Sequence, residues 1–204
     1  MKLIGMIDSP YVRRVAISLK LLGIAFEHLP LSAFTELDKI KAINPVLKVP
    51  TLVTDDGVAM MESCLILDYA ERLAAPARSL LPADLKSYIR AQRLTGLALA
   101  ACEKSVQAVY EHKLRPAEKR HQPWLDRVYT QLDAALALLE QDVKTEQPWL
   151  FGKDPLQADV TIAVAFRFAY KKLSDHVVPD NYPALAAFSA WAEEAEAFKA
   201  FPLP

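Results

Sequence analysis

The stretch KLIGMIDSPYVRRVAISLKLLGIAFEHLPL, residues 2–31, changes its hydrophobic period twice, and that double change decides the fold class. Residues 2–7 are a short, near-continuous apolar run, the pattern of a strand buried on both faces in a sheet sandwiched by helices. The period then turns helical, with Val12, Val15, Ala16, Leu19 and Leu22 on one face. Ser9 and Pro10 punctuate its start as N-cap and first helical residue, and Gly23 its end. A second strand is expected over 25–31. Strand, helix and strand this close together pair most economically in parallel, through a right-handed crossover.

Outward from this unit, residues 32–44 are mixed and polar, with no element assigned. Residues 51–54 and 58–61 flank the turn-forming Asp55-Asp56-Gly57 and predict an antiparallel hairpin. Pro50 stands at the strand entrance, one of the few places a sheet accepts proline. From Ser63, the spacing of Ile66, Ala70 and Leu73 predicts a helix, and the chain then runs into the proline-bounded stretch 76–82, read as a linker.

Beyond the linker the pattern is helical almost throughout. Residues 83–115 are bracketed by Pro82 and Pro116, and Leu125, Val128, Leu132, Ala135, Leu136 and Leu139 repeat at helical spacing. Residues 158–173 begin apolar nearly all round, as a central core helix does, and Leu185, Phe188, Trp191, Ala195 and Phe198 predict a last amphipathic helix. The expected fold is α/β plus all-α: a βαβ-ββα domain over 1–75, the linker 76–82, and a helical domain over 83–204.

At 204 residues the chain can bury a core without covalent staples. Lysine and arginine total 24 against 25 aspartates and glutamates, so there is no global basic field of the kind that binds nucleic acid. Cys64 and Cys102 are far apart and lack the spacing of a disulfide framework or zinc site, which suits a reducing compartment. His28, His112, His121 and His176 are scattered without metal-ligand spacing, and none is assigned a catalytic role. The N-terminus is too soon broken by charge to be a signal peptide, and no apolar run reaches the roughly 20 residues a membrane span requires.

Three places in the first domain carry candidate chemistry. Ser9 is explained as an N-cap, but a helix N-terminus, with its free amides and dipole, also stabilises anions and lowers a thiol's pKa. Val49-Pro50 reads as strand-entry proline. Glu62-Ser63 reads either as capping, with Ser63 accepting from its own helix's first amides, or as a pair that holds an ammonium and a carboxylate of one ligand. Arg13 and Arg14 are assigned to a solvated face or an ion pair on the first helix and left outside the site.

Ser9-Pro10-Tyr11-Val12-Arg13-Arg14, Asn44-Pro45-Val46-Leu47-Lys48-Val49-Pro50-Thr51-Leu52 and Met61-Glu62-Ser63-Cys64-Leu65-Ile66-Leu67-Asp68-Tyr69 occur in that order, followed by Gln157-Ala158-Asp159-Val160-Thr161-Ile162-Ala163. With these motifs the chain resembles the cytosolic glutathione transferases over nearly its whole length, and most of all the bacterial and plant members whose active-site residue is serine. The resemblance implies a thioredoxin-like first domain, glutathione as cosubstrate, no metal, and a cytoplasmic homodimer engaged in detoxification, with the first domain of each subunit against the second of its partner.

It also implies residue roles. Ser9 would donate its hydroxyl to the glutathione sulfur, and Pro50 would be cis, exposing the backbone of Val49 to the tripeptide. Lys48 would approach the glycine carboxylate, and Glu62 and Ser63 would hold the γ-glutamyl end. Tyr110 is a candidate for the site of an apolar electrophile. Leu156 departs from the pattern, standing where the family usually places a serine or threonine that caps the buried helix. Two other functions stay open on the same scaffold: a glutathione-dependent disulfide reductase, which would normally want cysteine in place of Ser9, and a non-catalytic interaction module.

Overall fold

The computed structural model describes residues 1–143 and 149–203. The chain divides into two compact units, one of Met1–Leu80 with Ala195–Pro204, the other of Leu81–Glu194.

The first unit has the expected thioredoxin-like βαβ-ββα order with one helix added, α2: β1 (Lys2–Ile4), α1 (Pro10–Leu22), β2 (Glu27–Leu29), α2 (Leu37–Ile43), β3 (Thr51–Val53), β4 (Ala59–Met61) and α3 (Ser63–Ala74). Its four strands lie in the order β2-β1-β3-β4. β1 pairs parallel with β2 and antiparallel with β3, and β3 antiparallel with β4. Leu3, Leu52 and Met60 are in cross-strand register and so share one face of the sheet. There Leu3 and Leu52 join Val12, Val15, Ala16 and Leu19 of α1 and Ile66, Leu67 and Ala70 of α3 in one core cluster.

The strands are shorter than the apolar runs that announce them, and α2 lies in the stretch 32–44 to which no element was assigned. A helix of seven residues with a single buried side chain, Ile40, leaves no apolar stripe to read.

Helix α1 starts and stops as its sequence dictates. Ser9 is its N-cap, Pro10 its first residue, and Gly23, at φ 73°, its left-handed terminator. Gly23 N–H donates to the Lys20 carbonyl and Ile24 N–H to that of Leu19, the paired bonds of a Schellman ending.

Arg13 and Arg14 correct the sequence reading: they are 1% and 0% exposed, not on a solvated face. Arg13 donates through Nε to the Phe201 carbonyl at 2.8 Å and lies over the Phe198 ring. Phe201 in turn stacks on Phe26. These contacts draw Ala195–Pro204, including α8 (Glu196–Lys199), into the first unit, whereas the sequence reading assigned 83–204 to one helical domain. Residues 144–148 and 204 of that range lie outside the described residues. The last predicted helix is accordingly two, α7 (Pro183–Glu193) and α8, broken where Ala195 turns extended.

The second unit is built from α4 (Leu85–Lys113), α5 (Gln122–Asp142), α6 (Gln157–Lys172) and α7, and α4 packs along α5 and α6. Eleven of the sixteen residues of α6 are buried, which is why its first half is apolar on every side. Leu156 makes no side-chain cap. Asp159 reaches back instead, accepting from Leu156 N–H at 2.9 Å and from Leu150 N–H at 2.8 Å. Burial pushes the Asp159 carboxyl up to about 6, while the amides of Leu150 and Leu156 and the charge of Arg90 pull it down. Among the described residues no helix is long and apolar enough to cross a membrane.

Candidate functional site

Strand register gathers the candidate residues at one end of the sheet. Ile4 pairs with Thr51 and Thr51 with Met61, so β1 and β4 leave the sheet where β3 enters it. Ser9 follows β1, Val49-Pro50 leads into β3, and Glu62-Ser63 follows β4. Gly5 shows how closely these segments approach. At φ 131° it takes a conformation that suits glycine, and a Cβ there would lie 2.6 Å from Val12 Cγ2 and 2.9 Å from Val49 Cβ.

The segment before β3 is braced from within. Buried Asn44 donates through Nδ2 to Thr51 Oγ1 at 2.9 Å and accepts at Oδ1 from Val46 N–H, while Thr51 donates to the Lys48 carbonyl at 2.7 Å. Leu47, at φ 58°, turns the chain between them, and the Val49-Pro50 bond is cis. Lys48 is exposed and Val49 half-buried.

Ser9 Oγ accepts from Val12 N–H at 3.4 Å, a long cap that leaves its hydroxyl proton for another acceptor. The start of α3 is more unusual. Glu62 is its N-cap residue at φ 70° and ψ 118°, a region that side-chain-bearing residues seldom enter, and it makes no side-chain capping bond. Ser63, expected to accept from its own helix's amides, is the first helical residue and accepts instead from Arg14 Nη1 at 2.9 Å. Arg14 also donates to Cys64 Sγ at 3.5 Å. An exposed carboxylate at a backbone outlier, beside a helix start without a side-chain cap, can take an ammonium and a carboxylate of one ligand side by side.

Ser9, Lys48, Val49, Pro50, Glu62 and Ser63 thus belong to one end of one sheet in the first unit. Tyr110 belongs to the second unit, 46% exposed near the C-terminus of α4. Sequence reasoning missed two contributors. An arginine beside an apolar stripe usually faces water, and the signal in the sequence for a buried Arg14 is the apolar character of α1 around it. Gly5 was readable only as part of a strand. Among the described residues no group of three or more His, Cys, Asp or Glu gathers as a metal site.

Comparison with known proteins gives this geometry a family. Residues 3–78 match the N-terminal domain of glutathione S-transferases and residues 122–190 the C-terminal domain. The uncharacterized GST-like protein YibF of Escherichia coli is 33% identical over 141 residues, covering 69% of this chain and 68% of YibF. A Methylobacterium radiotolerans glutathione S-transferase, crystallised with glutathione sulfonate, superposes with a TM-score of 0.88 at 26% identity, over 98% of this chain and 92% of that one. A Pseudomonas fluorescens glutathione transferase family member with bound glutathione gives a TM-score of 0.84 at 26% identity, over 100% of this chain and 98% of that one. Neither the disulfide reductase nor the non-catalytic module is favoured by these matches. The chain belongs to the glutathione S-transferase family.

Proposed function

We propose that the protein is a glutathione S-transferase of the serine type, which binds reduced glutathione at the end of the sheet where β1, β3 and β4 meet their helices. The observation that carries this reading is the start of α3, where Glu62 stands at φ 70° without a side-chain cap and Ser63 is turned to Arg14. Glu62 takes the ammonium and Ser63 the carboxylate of the γ-glutamyl residue. The backbone of Val49, presented beside cis Pro50, pairs with the tripeptide, and Lys48 approaches the glycine carboxylate. Ser9 donates its hydroxyl to the sulfur.

The chemistry follows from that last contact. A hydrogen bond to a thiolate, at the positive end of α1, favours loss of the thiol proton to water at neutral pH. The sulfur then attacks an electrophilic carbon of an apolar substrate. A carbon–sulfur bond forms, and the leaving group departs with its electron pair. Tyr110 is proposed as a contact for that substrate. The working form is a cytoplasmic homodimer, for which exposed Leu65 on α3 and exposed Leu85 and Ile89 on α4 supply apolar surface.

Titration of bound glutathione by the thiolate's ultraviolet absorbance tests the reading without the true substrate. In folded, glutathione-saturated Ser9→Ala the bound thiol's pKa should rise by about one to two units, the worth of one hydrogen bond to a charged group. An unshifted titration would make Ser9 only a helix cap.

A further inference from the structure

Arg14 is a residue the reaction as written does not use, yet it sits directly behind the site. Its side chain is fully buried, and from α1 its Nη1 reaches both Ser63 Oγ at 2.9 Å and Cys64 Sγ at 3.5 Å, two consecutive residues of the first turn of α3. We infer that Arg14 is the positioning residue of the γ-glutamyl subsite, holding Ser63 so that its hydroxyl proton is presented to the ligand's carboxylate.

The argument starts from what a serine hydroxyl can do. It has one proton to give and two lone pairs to receive with. The guanidinium has donors only, so whenever Ser63 bonds to Arg14 it must accept, and its own proton is left for another acceptor. A carboxylate is an acceptor only, the complement that arrangement selects. A hydroxyl that already accepts from a cation is also polarised into a stronger donor. The charge of the guanidinium adds to the partial positive charge of the uncapped amides at the start of α3, which favours an anion at the same place. Arginine suits the task because its planar fork keeps a fixed geometry when buried, where a lysine would supply a single point donor.

This inference rests on the proposed glutathione site and predicts an effect at the γ-glutamyl end and none at the sulfur. In Arg14→Met, the Kd and KM for glutathione should rise about tenfold, with the ionisation of the bound thiol unaltered and kcat at saturating glutathione largely kept. Arg14→Lys, which keeps the charge and loses the fork, should lie between Arg14→Met and the parent, and it carries the comparison if Arg14→Met does not fold. Ser63→Ala completes a double-mutant cycle. With Ser63 already removed, Arg14→Met should weaken glutathione binding by less than about threefold, because the group it acts through is gone. Equal affinity in parent and folded variants, or the same tenfold loss with and without Ser63, would make Arg14 a packing residue. A parent protein that fails to bind glutathione at all would overturn the functional reading itself, so the two failures are distinguishable.

Discussion

Helices α3 and α6 begin in opposite ways. At α6, Asp159 closes the start: its carboxylate takes the amides of Leu156 and Leu150, and the residue is fully buried. At α3, the N-cap residue Glu62 is exposed at φ 70° with no capping bond, and Ser63 turns to Arg14 instead of its own helix. On paper both starts carry an acidic residue, but only α3 has a hydroxyl beside it, Ser63, where α6 has Leu156 at its N-cap. The contrast is that the polar groups at the start of α6 are satisfied from within, whereas the start of α3 has no side-chain cap and holds a residue in a sparsely populated backbone region.

The largest expected effect breaks the closed start. Asp159→Ala strands the buried Leu150 amide and the part-buried Leu156 amide, and with a penalty of up to about 1–3 kcal/mol for each, urea unfolding should show a loss of about 2–6 kcal/mol. A variant as stable as the parent would show that Asp159 is not what holds the start of α6.

A pH series sharpens the same side. Burial raises the folded-state pKa of Asp159 to about 6 from an ordinary value of 3.8. Its protonated form is therefore the one that folding favours. The stability this group contributes is full below about pH 4, is lost as pH rises through about 6, and is flat beyond. The shift corresponds to about 3 kcal/mol. The stability difference between the parent and Asp159→Asn, followed by chemical denaturation, should therefore move against the parent by that amount from pH 4 to pH 7. A pH-independent difference would contradict the assignment.

The smallest effect belongs to the open start and has the opposite sign. Glu62→Gly relieves a side-chain-bearing residue from φ 70°, and after the added entropy of an unfolded glycine it should leave the protein about 1 kcal/mol more stable. The same change should weaken glutathione binding in calorimetry, since the ammonium loses its carboxylate partner. A less stable variant, or unaltered affinity, would erase the contrast between the two helix starts.

The legible parts of this protein are those governed by neighbours in sequence. Period and punctuation placed α1 between Ser9 and Gly23, the β3–β4 hairpin around Asp55-Asp56-Gly57, and a long helix between Pro82 and Pro116, because caps, turns and apolar stripes act over a few residues. Motif order named Ser9, Val49-Pro50 and Glu62-Ser63 as candidates. Strand register then set them at one end of the sheet, through the pairings Ile4 with Thr51 and Thr51 with Met61.

What only the tertiary structure decided lies in contacts across long sequence distances. Arg13 binds a carbonyl 188 positions away, which carries the C-terminal residues into the first unit, and Arg14 reaches a hydroxyl 49 positions away, which ties buried Ser63 at the start of α3 to α1. Composition cannot distinguish a buried arginine from a solvated one. The difference is whether folding brings an acceptor within about 3 Å of the guanidinium, and that depends on where distant segments of the chain come to rest.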